Sequence, residues 1–159
     1  MVTLFLNEND IPELTAFSGN IDADSLKPHI FTAQTNDIKR ILGSELYDKI
    51  LAEYIAGSLA GLYKTIYEDY VVPIEVYFAC MYYMTFGGTK TSNNGVVKVS
   101  FAGGEALSES ETNRLIGVYR QLGNNNEKFF YDYIEANPVP EYDRSKEDES
   151  KNNPVIPWY

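Results

Sequence analysis

The sequence predicts a mainly α fold: a compact helical bundle with a small β-hairpin or strand insertion and an extended C-terminal arm. Three observations predict it. Apolar residues recur at helical spacing through most of residues 24–136. In TSNNGVVKVSFAGG, the turn signal Asn94-Gly95 is followed by Val97, Val99 and Phe101 alternating with Lys98 and Ser100, the period of a strand. From Asn137 the composition turns to NPVPEYDRSKEDESKNNPVIPWY, rich in proline and charge and poor in core material. The domain division that follows is a helical body over 1–136, with the insertion at about 89–104, and an arm over 137–159.

Taken in order, Leu4-Phe5-Leu6 is a short apolar start, either a strand or an anchored arm, and Asn7 is placed to cap a brief helix. Asp24 or Ser25 caps the next helix, with Pro28 in its first turn and Ile30, Ala33, Ile38, Ile41 and Leu42 on one side. Gly43 stops it. Ser44 opens a second helix whose stripe is Leu46, Tyr47, Ile50, Leu51 and Tyr54, with Gly57 as terminator. Leu59 to Tyr70 continues helically until Val71-Val72-Pro73, where proline removes a donor and predicts a kink or a break. The stretch PIEVYFACMYYMTF is apolar almost all round and predicts a central buried helix, ended by Gly87-Gly88. Ser108-x-x-Glu111 is a capping box for a last helix of Leu115, Val118, Tyr119, Leu122, Phe129, Phe130, Tyr133 and Ile134. Gly123-Asn124-Asn125-Asn126 is its weak spot.

With 159 residues the chain has the size of one domain and needs no staples to fold. Its net charge of −10 argues against phosphate neutralisation and so against general nucleic-acid binding. The single Cys80 excludes an intrachain disulfide and suits a reducing compartment. The first residues are too short and too acidic for a signal peptide, and no window is apolar enough to span a membrane.

The motifs of catalysis are not met. His29 has no second His and no Cys partner for zinc, and no nucleophile elbow accompanies it. Asp22 with Asp24 and Glu109 with Glu111 flank helix starts, where acids belong, and Glu68 with Asp69 reads as a wet face. FGGTKTS does not fit a phosphate loop, and DADS does not continue into a calcium ladder. The expectation is a non-catalytic protein without cofactor or metal that works through its surfaces. Its candidate interface residues are Val97, Val99 and Phe101 on the strand, which must bury either against the chain's own helices or against another chain, because two strands alone are marginal. Val155, Ile156, Trp158 and Tyr159 at the tip of the arm are the others, an apolar anchor on an acidic tether. Leu4-Phe5-Leu6 is a candidate partner strand from another chain.

Residues 25–54, SLKPHIFTAQTNDIKRILGSELYDKILAEY, carry a resemblance. Lys27-Pro28, Ala33-Gln34, Leu42-Gly43 and Leu46-Tyr47 stand as they do in a family of uncharacterised proteins from phages of Bacteroides-type bacteria, crAss-like phages included. The wider organisation resembles the head–tail connector (adaptor) proteins of tailed phages. That resemblance implies a virion structural protein at the head–tail interface, made in the host bacterial cytoplasm. It implies a homo-oligomeric ring, usually of about twelve copies, contacting the portal protein and tail proteins, with DNA passing through without specific binding. An alternative from a different class is an acidic monomeric inhibitor, a DNA mimic whose carboxylates cluster on one face.

Overall fold

The computed structural model describes residues 3–7, 9–15, 23–87, 89–92, 95–98 and 108–143. Its helices are α1 (Asp10–Leu14), α2 (Ala23–Thr32), α3 (Lys39–Ala56), α4 (Gly61–Thr65), α5 (Val72–Phe86) and α6 (Glu109–Ala136). Between α5 and α6 lie β1 (Thr89–Ser92) and β2 (Gly95–Lys98). The architecture is mainly α.

An all-round apolar helix has to sit in the middle, and α5 does. Ile74, Val76, Phe78, Ala79, Cys80 and Met81 are buried, and α1, α2 and α6 all pack on it. Its long partner is α6, which runs antiparallel: Tyr77 meets Tyr119, Phe78 meets Gly123, and Tyr70, just before α5, meets Phe130 and Tyr133. Leu26 and Ile30 of α2 and Ile41, Leu42, Leu46 and Ile50 of α3 add to the core.

Two π-helical segments carry the chain through places where ordinary helix grammar fails. Ala33–Ile38 joins α2 to α3, and the Lys39 N–H donates to the Gln34 carbonyl five residues back. Ile66–Val71 joins α4 to α5, with the Val72 N–H donating to Tyr67. Of the kink or break expected at Val71-Val72-Pro73, the break does not occur: the helix runs on through a π segment. Val71 and Val72 keep helical angles, and the widened turn makes room for the proline ring at the start of α5. Pro28 also sits deeper than expected. Helix α2 begins at Ala23, ahead of the predicted cap, so the proline falls in its second turn and deprives only the Asp24 carbonyl at the exposed end.

Gly43 and Gly57 perform the predicted stops. Gly43 adopts φ 71° and ψ 161° inside α3, separating a short N-terminal turn from the main helix. Gly57 takes φ 65°, its N–H donates to the Tyr54 carbonyl and that of Ser58 to Glu53, the paired bonds of a Schellman ending. The capping box at α6 is formed in both directions: the Glu111 N–H donates to Ser108 Oγ at 3.2 Å, and the Ser108 N–H to Glu111 Oε2 at 2.9 Å. Glu111 titrates below the usual carboxylate range because these bonds favour its charged form.

Helix α6 does not break at Gly123-Asn124-Asn125-Asn126. Gly123 is buried, and a Cβ there would lie 2.9 Å from the Phe78 ring, so the missing side chain is what lets that ring pack against α6. The helix ends at Ala136 as expected. The first residues of the predicted arm then fold back on the body. Val139 is buried, Tyr142 meets the Phe130 ring edge-on at 5.5 Å, and the Tyr63 hydroxyl donates to Glu141 at 2.7 Å. Strands β1 and β2 run antiparallel, with Lys90 opposite Val97 and Ser92 opposite Gly95. No helix among the described residues is long and apolar enough to cross a membrane.

Candidate interaction surfaces

Of the seven interface residues predicted from sequence, only Val97 falls within the described backbone, in β2. Val99, Phe101, Val155, Ile156, Trp158 and Tyr159 lie outside the described residues. The described body offers two other surfaces, neither singled out by sequence patterning.

The first is a seat for the N-terminal segment. Gln34, fully buried in the π-helical segment, uses its amide as a substitute strand edge. Its Oε1 accepts the Phe5 N–H at 2.8 Å, and its Nε2 donates to the Thr3 carbonyl and to the Tyr47 hydroxyl, both at 2.9 Å. The Phe5 carbonyl accepts from the Tyr67 hydroxyl at 2.8 Å. The Phe5 ring enters a box of Tyr47, Tyr54 and Tyr67, with centroids 5.6, 5.6 and 5.7 Å away and edge-to-face geometry. Leu4-Phe5-Leu6 is therefore not an available strand for a neighbour: Phe5 and Leu6 are buried within their own chain. Two pairs quoted for the family resemblance, Ala33-Gln34 and Leu46-Tyr47, supply this seat. Gln34→Leu removes the acceptor and strands the buried Phe5 N–H; a loss of about 2–3 kcal/mol is expected, measured by chemical denaturation.

The second surface is one flank of α6. At 100° per residue, Val118, Leu122 and Phe129 fall within about 40° of one line, away from the core line of Gly123, Phe130 and Ile134. Val118 is 42% exposed and Phe129 56% exposed. Tyrosines border the strip: Tyr119 beside Tyr77 at 6.5 Å, and Tyr133 stacked on Tyr70 at 4.7 Å. A signal for this surface exists in the sequence. The eight residues that the spacing assigns to the apolar side of α6 spread over about 160° of the helix, wider than one core stripe needs.

The opposite edge of α6 is polar and tied down. Arg40 donates to both carboxylate oxygens of Glu127, at 2.9 and 3.0 Å. Glu127 also accepts from the Tyr131 hydroxyl at 2.9 Å, and Asp37, 3.8 Å from Arg40, accepts from Tyr82 at 3.0 Å. The chain of contacts joins the α2–α3 connection to α5 and α6. Burial holds the Asp37 carboxyl above its ordinary value, while the Glu127 hydrogen bond raises the Arg40 guanidinium. Arg40 is 51% exposed, so Arg40→Ala is expected to cost only about 0.5–1 kcal/mol in a denaturant titration, and less at high salt.

The residues considered for chemistry do not converge. His29 packs edge-on against Tyr83 at 5.6 Å, and burial lowers its pKa. Glu68 and Asp69 are exposed, and Glu109 and Glu111 belong to the start of α6. Asp24 pairs with Lys27 at 2.8 Å, while Asp22 lies outside the described residues. Among the described residues no group of three His, Cys, Asp or Glu side chains is placed to hold a metal ion. A pocket of about 240 Å³ lies where α6 gives way to the folded-back segment, lined by Tyr131, Ile134, Glu135, Pro138, Tyr142 and Asp143.

One group breaks the ordinary rules of a core. Glu75, in the first turn of α5, is completely buried, and among the described residues neither carboxylate oxygen has a hydrogen-bond partner. Burial raises its pKa well above the carboxylate range, and Asp10 adds to the effect. Periodicity read this position as one more place on a buried helix; nothing in the pattern marked the acid itself.

No curated protein and no solved structure matches this chain. A protein-family model matches residues 38–152, which takes in the described body from α3 onward. The chain belongs to that family, described as a family of unknown function (DUF6712).

Proposed function

We propose that this protein is a virion structural subunit, a non-catalytic head–tail connector that joins identical copies into a ring between portal and tail. One observation carries the reading: the apolar flank of α6, where Val118 and Phe129 are exposed and Leu122 half-buried between them, bordered by the tyrosines of α5 and α6. An apolar strip along a 28-residue helix suits a lateral contact between copies, with its mate elsewhere on the neighbour. The net charge of −10 supports the same reading, because an acidic wall lets DNA slide past instead of holding it. Residues 89–104 and the tip of the arm serve as limbs to the adjoining layers. Val97, Val99 and Phe101 bury against a neighbouring chain, and Val155, Ile156, Trp158 and Tyr159 dock on an adjacent protein.

Two variants test the two contacts separately. Val118→Glu with Phe129→Glu places charge on the lateral strip; because both side chains are exposed, the melting temperature is expected to hold while ring formation on purified portal is lost. Deletion of 154–159 is expected to leave the monomer's stability unchanged and to weaken assembly onto portal. Rings that form normally from the doubly charged variant would remove the lateral assignment.

A further inference from the structure

We propose that residues 3–15 are a latch over the body, released from the aromatic seat when the buried Glu75 side chain loses its proton. The geometry assigns the parts. Helix α1 lies on α5, with Ile11 fully buried between them and Thr15 within hydrogen-bonding reach of the Cys80 thiol. Glu75 lies at the other end of this contact, fully enclosed and unpartnered. Among the described residues, the ionisable groups that act on it are Asp10 from α1 and Tyr67 from the π-helical segment, whose hydroxyl is already committed to the Phe5 carbonyl. Neither is a cation. A negative charge on Glu75 would meet the Asp10 carboxylate in a site closed off from the surface.

The protonated acid is tolerated under α1; the carboxylate is not. Lifting α1 hydrates Glu75 and moves it away from Asp10. The same motion draws Phe5 out of the Tyr47, Tyr54 and Tyr67 box, since Asp10 and Phe5 are joined through a short turn in which the Asn7 N–H donates to Asp10 at 2.7 Å. The proton on Glu75 therefore sets how often the seat stands open. The sign follows from linkage. The docked state binds a proton that the lifted state releases near the ordinary Glu value of 4.5. Docking is thus strongest below that pH and weakens as pH rises toward the docked pKa. The latch concerns the subunit itself and does not depend on ring formation.

Hydrogen exchange of the intact chain, read by mass spectrometry on peptides covering 3–15 between about pH 5 and pH 8, tests it. In the wild type, protection corrected for intrinsic exchange is expected to fall by up to roughly tenfold per pH unit across the Glu75 titration, while α6 stays constant. Glu75→Gln keeps the shape and removes the titration, so its protection is expected to be flat with pH. Asp10→Asn removes the repulsion, so the fall should end at lower pH and be smaller in total; this variant serves if Glu75→Gln does not fold. Wild-type protection that is flat with pH, a fall unchanged in Glu75→Gln, or a fall unchanged in Asp10→Asn would overturn the proposal.

Discussion

Replacing Phe5 with alanine is expected to lower stability by about 3–5 kcal/mol, the range for emptying an aromatic site in a core. The expectation rests on position. Phe5 lies near the start of the chain, where truncation is ordinarily harmless, yet only 1% of it is exposed. Three tyrosine rings meet its edges, and these contacts add to the area it buries. Removing the ring leaves a hole lined by Tyr47, Tyr54 and Tyr67, which are held by their own contacts and cannot all collapse inward. Tyr47 is tied to Gln34, and Tyr54 and Tyr67 lean on each other at 5.3 Å. Chemical denaturation of Phe5→Ala measures the loss. Phe5→Leu refills part of the volume and should recover part of it. A loss under about 1 kcal/mol for the alanine variant would mean that the segment is a loosely held tail and not a part of the core.

The second large effect concerns the crossing of the two long helices. Gly123→Val is expected to destabilise the protein by about 2–3 kcal/mol, despite replacing a poor helix former. The first added carbon already lies 2.9 Å from the Phe78 ring, which is itself buried and has nowhere to turn. Either α6 moves off α5 or the ring leaves its rotamer. Gly117, two turns earlier on the same helix, is the control: it is exposed, and a Cβ there meets nothing within 4 Å. Gly117→Ala should stabilise by about 0.5–1 kcal/mol by relieving backbone entropy alone. Thermal melts of the two variants are expected to move in opposite directions. Equal shifts would show that packing at Gly123 is not what distinguishes these positions.

Much of the helical order was legible because the relevant signals are local. Gly43 and Gly57 stop helices through their own backbone freedom, and Ser108 with Glu111 closes a capping box within four residues. The apolar run of α5 announces burial without reference to anything else. What sequence patterning misread depends on distant partners. Pro73 signals a break only if the turn before it is an ordinary α turn, and a π turn lets the helix run on. Gly123 looks like a weak spot until Phe78, 45 positions earlier, is seen to need its missing side chain.

The candidate sites divide the same way. Leu4-Phe5-Leu6 is recognisable as an apolar start, but its seat is built from Gln34, Tyr47, Tyr54 and Tyr67, spread over three segments. Glu75 sits at a core position by periodicity, and its lack of a partner is visible only in three dimensions. The lateral strip was in principle readable, because Val118 and Phe129 widen the apolar arc of α6 beyond what one core face uses.

The central functional claim is that copies of this chain join edge to edge on the portal. The direct measurement is the mass of the complex formed when purified protein is mixed with portal rings, by sedimentation velocity, followed by imaging of the product down its axis. The expected result is a closed ring of about a dozen subunits stacked coaxially on the portal, lost when Val118 and Phe129 are both changed to glutamate. A protein that sediments as a monomer at every concentration, with portal present and unbound, would contradict the account and favour the acidic monomeric inhibitor instead.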